Sequence, residues 1–281
     1  MTETRSRLTA IAGRLAIYLT LAVVLVVTAG PFVWMASTSL KPRADQYDGR
    51  LIPAHFTLAN YERLVTSAPY LVNEVLNSFQ IALLNTAGQV LTCAMAAFVF
   101  AVFKFRGRNA LFGLLLATFI IPPQVSLVPN FIAFSKMGLV GTKLPLWITA
   151  FLGGAYGTFL LRQYYSTIPI ELAEAARVDG VSLPNMFLRI YLPLGKPALS
   201  ALAIMTFTGA WNDLLRPLIY LPSQQRLTTL TVGLSLYQAS YSGQWTFLMA
   251  CAVLSILPIL LIFFVAQRQI IEGSALAGIS R

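Results

Sequence analysis

Six apolar runs, each close to the length of a bilayer crossing and parted by short charged blocks, leave this chain few folds outside a membrane. They cover residues 15–34, 78–103, 111–134, 144–161, 198–221 and 245–266. A helix needs about 20 apolar residues to cross the hydrocarbon. The pattern therefore predicts an all-α membrane protein with six transmembrane helices across residues 15–266. Only 11% of the residues are charged, against about a quarter in an ordinary soluble domain, and the mean hydropathy is +0.71. The first run follows Arg5, Arg7 and Arg14. It exceeds a signal-peptide core and has further crossings behind it, so an uncleaved first helix is expected.

Positive charge in short loops sets orientation. The N-terminal arm (residues 1–14) carries three arginines, and Lys104, Arg106 and Arg108 crowd the loop after the second run. Both, together with residues 162–196, are expected in the cytoplasm, and the mixed-charge segment 41–74 outside. An even number of crossings returns the tail, residues 267–281, to the cytoplasm. Lys136 and Lys143 fall on the outer side against the rule. The net charge of +10 is read as topogenic, because no helix shows the clustered basic face of a nucleic-acid binder. Cys93 and Cys251 lie inside apolar runs and read as small hydrophobes. His55 is the only histidine, so no metal site built on histidines is expected.

Several runs are not plain lipid-facing helices. The third contains Pro122, Pro123, Gln124, Pro129 and Asn130. Prolines remove backbone donors and bend or break a helix, and the freed carbonyls must then meet protein or water. Two readings stand: a structural kink, or a wall of a solute path with Gln124 and Asn130 facing it. In the fifth run, Asp213 and Arg216 are either an i, i+3 ion pair or part of that path, with Trp211, Asn212 and Asp213 facing the solute. An arginine at position 216 would favour an anionic group such as a phosphate.

Residues 162–196 are too polar to cross and too regular for a linker. Pro169 suits the first turn of a helix. Glu171 and Glu174 sit near its positive end, and Leu172, Ala175 and Ala176 fall on one face. Gly180 ends the helix after Asp179. A second helix is expected from about Ser182, with Met186, Phe187, Ile190 and Tyr191 as an apolar stripe and Leu192-Pro193 as its stop. Such a helix–turn–helix elbow suits docking into a groove on a soluble partner.

Glu174-Ala175-Ala176, three residues, Gly180, nine residues, Ile190, one residue, then Leu192-Pro193 resembles the EAA signature of importer permeases in the ATP-binding-cassette superfamily. The remainder resembles the carbohydrate-uptake branch of the maltose-transporter second-subunit type. The resemblance rests on residues 34–42 (WMASTSLKP), 56–61 (FTLANY), Asn77-Ser78-Phe79, Ile121-Pro122 through Pro129, Trp211-Asn212-Asp213 and a tail over residues 267–278. It implies a permease subunit in a bacterial inner membrane, carrying a sugar or related polar solute. It also implies a paralogous permease partner, two ATPase subunits, and a substrate-binding protein at the outer loops. Glu174, Ala175, Ala176, Asp179, Gly180, Ile190, Leu192 and Pro193 would form the coupling loop. ATP and Mg would be held by the ATPases alone, since this chain has no phosphate-cradling Gly-x-x-x-x-Gly-Lys-Ser/Thr loop. No catalytic residue is expected. An ion-coupled carrier would need carboxylates or histidines buried at midspan, and Asp213 is the one candidate. A membrane enzyme would need clustered catalytic groups at one face, and Glu171, Glu174 and Asp179 are the only close acidic set.

Overall fold

The computed structural model describes residues 2–222 and 225–278, with the side chains of residues 13–222 and 226–264. Among these, every regular element is helical: α1 Thr2–Ser39, α2 Ala59–Ser67, α3 Leu71–Val102, α4 Arg108–Ile120, α5 Leu127–Lys136, α6 Ala155–Tyr165, α7 Ile170–Val178, α8 Leu183–Leu194, α9 Lys196–Trp211, α10 Leu215–Tyr220, α11 Leu230–Ser240 and α12 Trp245–Gly278. Three stretches are long and apolar enough to cross a membrane, Gly13–Ser39, Leu71–Val102 and Trp245–Phe264. α8 and α9, bent by 79° at Gly195, make a fourth if taken as one span.

The remaining apolar runs are broken, each for a visible reason. The third divides into α4 and α5 across residues 121–126, where Pro122 and Pro123 can donate no backbone hydrogen bond. The fourth is not one helix over residues 144–161. It passes through two 3-10 turns, Leu144–Leu146 and Ile148–Leu152, and straightens into α6 only after Gly153 at φ +89° and an extended Gly154. The fifth stops at Trp211 and resumes as α10, whose first turns contain Pro217.

The chain folds as two compact units, residues 1–69 with 236–256, and residues 70–235 with 257–281. In the second unit α3 is the spine, packed against α6 and α9. Small residues bring the helices close, as in other membrane bundles. Cys93, Ala94 and Ala97 are fully buried on α3. A Cβ on Gly157 would lie 2.8 Å from the Cys93 sulfur, and one on Gly88 would lie 2.6 Å from the Phe151 ring. Both cysteines are buried and neither is in a disulfide, in keeping with their reading as small hydrophobes.

In the first unit, the 34–42 and 56–61 sequence motifs meet across the short loop between them. Lys41 of the 34–42 segment is fully buried; its Nζ donates to the Asp48 and Arg50 carbonyls at 2.7 and 2.6 Å and lies 5.0 Å from the Trp34 ring centroid. Asn60 of the 56–61 segment donates to the Ser39 and Lys41 carbonyls, each at 2.8 Å, and Tyr61 shares a 2.7 Å hydrogen bond with Ser39. The end of α1 and the start of α2 are thus tied together by side chains that serve otherwise unmet backbone groups.

Candidate functional site

The elbow is built from the inside out. α7 leaves the extended Pro169 and closes on Gly180, whose φ of +71° is open to glycine at no steric cost. The Gly180 N–H donates to the Arg177 carbonyl at 3.1 Å and the Val181 N–H to Ala176 at 2.9 Å. That is the double closure of a Schellman turn. Ser182 then restarts the chain into α8, with Pro184 in its first turn. Met186, Phe187 and Tyr191 are buried and Ile190 packs beside them, as the stripe predicts. Their floor is Phe98 of α3, with ring centroids 4.9 Å from Tyr191 and 5.5 Å from Phe187, and Tyr165 of α6, 5.6 Å from Tyr191. Burial pushes the Tyr191 phenol above its ordinary value, with the Arg177 charge opposing.

Two details depart from the sequence expectation. Ala176 is buried in this same core with Ala173, so it does not share an outer face with Leu172 and Ala175. The buried stripe of α7 runs through positions 173 and 176, one step round the helix from the expected face. What points away is Leu172, Glu174, Ala175, Val178 at 88% exposure, and Asp179. Nor does Leu192-Pro193 stop the second helix. A widened π turn over Phe187–Tyr191 carries it past Pro193, which has no N–H to give, to Leu194. Leu192 packs on the core and Pro193 is exposed. The break falls at Gly195, where a Cβ would lie 2.5 Å from the Tyr165 ring and 2.9 Å from the Tyr191 carbonyl oxygen.

A second feature is an open cleft of about 740 Å³ between α3, α6, α9 and the broken third and fifth runs. Asn130 and Asp213 line it, together with Asn85, Gln89, Ser126, Tyr156, Thr206, Arg216 and Tyr220. Gln124 and Asn212 are exposed but off its wall. Trp211 is core: 2% exposed, it stacks on Phe207 at 5.8 Å, and its carbonyl accepts from the Thr231 hydroxyl at 2.8 Å. Asp213 and Arg216 form the i, i+3 ion pair, with the Arg216 N–H also on Asp213 Oδ1 at 3.3 Å. Asn85 secures the irregular wall by donating to the Leu146 carbonyl at 3.0 Å. The sequence pattern does not single out Asn85 and Gln89, lone polar residues in an apolar run, although their i, i+4 spacing marks a polar face. The Asn77-Ser78 motif is structural. Asn77 donates to the Arg226 and Thr228 carbonyls at 2.9 and 3.0 Å, and the Ser78 hydroxyl accepts from the Leu230 N–H at 2.8 Å. The backbone of the tail is helical to Gly278, but its side chains, Glu272 among them, lie outside the described residues, as do Arg5 and Arg7 of the N-terminal arm.

Comparison with known proteins bears on both features. The chain is 32% identical to the osmoprotective compounds uptake permease protein GgtD of Synechocystis over 99% of its own length and 95% of the relative's. It is 36% identical to the sn-glycerol-3-phosphate transport system permease protein UgpE of Pectobacterium atrosepticum over 71% of each chain, and 36% identical to the alpha-glucoside transport system permease protein AglG of Rhizobium meliloti over 80% of this chain and 60% of the other. Its fold matches a bacterial ABC transporter involved in the import of the acidic polysaccharide alginate, with a TM-score of 0.80 over 92% of this chain and 96% of that one, at 21% identity. Residues 88–272, which hold the elbow and nearly all of the cleft, match the family of binding-protein-dependent transport system inner membrane components, and the chain belongs to that family.

Proposed function

We propose that this permease forms half of the translocation path of an ATP-driven importer for a sugar or related polar solute, and that it takes its motion from a separate ATPase through the α7–α8 elbow. The observation that carries the reading is the elbow's construction. Its inner face is locked onto α3 and α6 by a packed aromatic core, while Leu172, Glu174, Ala175, Val178 and Asp179 are left free outside. A knob so mounted moves with its helices when a partner grips it, the helix-in-groove mode. Gly180, Ile190, Leu192 and Pro193 shape the knob, and Ala176 seats it.

Six crossings account for the apolar segments: α1, α3, α4 with α5, residues 144–161, α9 with α10, and α12. The termini, the 104–108 loop and residues 162–196 lie in the cytoplasm of a bacterial cell. The segment 41–74 faces a substrate-binding protein. A paralogous permease completes the path, and two ATPase subunits hold ATP and Mg. The cleft is the solute wall. Its amides and hydroxyls suit a polyhydroxyl cargo, and α-glucosides and sn-glycerol 3-phosphate, in the relatives' names, are both of that kind. Arg216 is already paired with Asp213, so it is not by itself an anion site, while the sn-glycerol 3-phosphate in a relative's name keeps a phosphorylated polyol within the proposed cargo class. An ion-coupled carrier is disfavoured, since its one candidate carboxylate is held in that pair.

The test is cross-linking from Val178→Cys in the assembled transporter. A product with the ATPase subunit, enhanced or suppressed by ATP, is expected. A Val178→Cys that labels only with impermeant reagents from outside the cell would overturn the orientation and the docking role together.

A further inference from the structure

The turn between α3 and α4 carries the densest positive charge in the chain, with Lys104, Arg106 and Arg108 in five residues. Lys104 and Arg106 are exposed. Arg108 Nη1 donates to the Phe103 carbonyl at 3.2 Å, and its Nε is covered and has no partner. Arg162 of α6 comes in beside it. Its Nε donates to the Phe100 carbonyl at 3.4 Å, its guanidinium lies 4.0 Å from the Phe112 ring centroid, and it feels the positive charge of Arg108. Among the described residues, no carboxylate pairs with any of the four.

α4 begins in the same place. Gly107 caps it at φ +83°, no side chain caps its first turn, and that turn holds no acidic residue. Its positive dipole end therefore adds to the basic cluster. Residues 104–110 enclose an open groove of about 570 Å³. Beside the groove, Phe105, Leu111 and Leu114 are exposed apolar side chains, over an aromatic base in which the Phe100 ring lies tilted against Phe105 at 6.1 Å and Phe112 at 5.4 Å.

Four unneutralised cations ask for an anion, and the apolar wall along the start of α4 asks for something anchored in hydrocarbon. We propose that this groove binds the headgroup of an anionic phospholipid, with the phosphate held by Arg108, Arg162 and the N-terminus of α4, and the acyl chains along Leu111 and Leu114. A soluble phosphate would use the cations and leave the apolar wall idle; a diacyl lipid uses both. The inference rests on the membrane placement proposed above. Juxtamembrane basic clusters draw anionic lipids in this manner, and here three separate helices, α3, α4 and α6, converge on one.

The test uses the full chain, purified with the subunits that accompany it, in nanodiscs of phosphatidylcholine alone or mixed with phosphatidylglycerol. Bound lipid is counted by native mass spectrometry after transfer to detergent. Phosphatidylglycerol should be retained at least about tenfold over phosphatidylcholine, well within what four surface cations can supply. Arg108→Gln with Arg162→Gln should abolish the preference. Lys104→Gln with Arg106→Gln, exposed and free of internal bonds, should weaken it without touching the fold. Lys136→Gln with Arg226→Gln, the same charge removed elsewhere, should leave it intact. Equal retention in all variants overturns the proposal. Displacement of the lipid by millimolar inorganic phosphate overturns it too, and marks a soluble-anion site. Uptake is not the readout, so failure here leaves the transport reading standing.

Discussion

The elbow and the cleft draw on the same helices, α3, α6 and α9, and are finished in opposite ways. Under the elbow the helices are sealed with Phe98, Tyr165, Met186, Phe187 and Tyr191, and every turn is closed by a hydrogen bond or a glycine. At the cleft they carry Asn85, Gln89, Tyr156 and Thr206 on an open wall, and the segments that face them are broken at Pro122-Pro123, Gly153-Gly154 and residues 212–214. A close-packed core transmits displacement because it has no room to absorb it. A wall of interrupted helices can shift, because its hydrogen bonds are local. The difference suits a rigid handle joined to an adaptable path, and it can be attacked at either end.

The largest effect should come from Ala176→Arg. The position is buried among aromatic rings with no carboxylate at hand, so the variant must bury an unpaired charge or unseat α7. A loss of about 3–5 kcal/mol is expected, read as loss of the monodisperse species on fluorescence-detected size exclusion. Ala175→Arg, one residue away and exposed, should fold and insert normally yet lose ATP-driven uptake. If both variants behave alike, the elbow has no distinct inner and outer face. Gly180→Val comes next. A β-branched residue at φ +71° is strained by about 1–2 kcal/mol, so its melting temperature should fall by a few degrees, with hydrolysis partly uncoupled from uptake. Gly180→Asn should recover most of both losses, since asparagine tolerates this conformation. Gly195→Ala should cost about 1–3 kcal/mol by overpacking, because its methyl meets the Tyr165 ring and a backbone oxygen rather than a flexible chain end.

How much of this was legible follows the range of the interactions. Pro169 and Gly180 mark the ends of α7 through their own backbone preferences, and both ends stand in the structure. The face of α7 was misplaced by one step because burial there depends on Phe98, some 75 residues earlier, and no local pattern records where that ring lies. Pro193 looked like a stop because a proline inside an α-helix leaves a clash and a missing donor; the π turn before it removes the conflict and has no sequence mark of its own. Hydropathy read residues 144–161 as one crossing because it weighs Gly153 and Gly154 by polarity rather than by conformation. The 34–42 and 56–61 segments are visible as motifs, yet their joint purpose appears only in three dimensions: Asn60 holds the Ser39 and Lys41 carbonyls while Lys41 holds those of Asp48 and Arg50. Trp211-Asn212-Asp213 was legible as a unit and then divided by structure: a core ring, an exposed amide and a cleft carboxylate.

The smallest change in stability, and the sharpest question about the cleft, belongs to Asp213→Asn. The pair with Arg216 is partly open, with side-chain exposures of 16% and 34%, and such pairs contribute about 1 kcal/mol or less. The variant should therefore fold with a nearly unchanged melting temperature. The charge of the wall is another matter. With Asp213 neutral, Arg216 is released into the cleft and the lining goes from balanced to positive. If solute passes here, uptake of a neutral sugar should fall several-fold, while that of a phosphorylated analogue delivered by the same binding protein should fall less. Asp213→Asn with Arg216→Gln, which restores neutrality without restoring the bond, should recover much of the neutral uptake. Recovery would identify charge balance as what the pair contributes. No recovery would mean that the bond itself, bracing the break between α9 and α10, is what matters. Wild-type uptake in the single variant would put the path elsewhere and leave the cleft as a seam between helices.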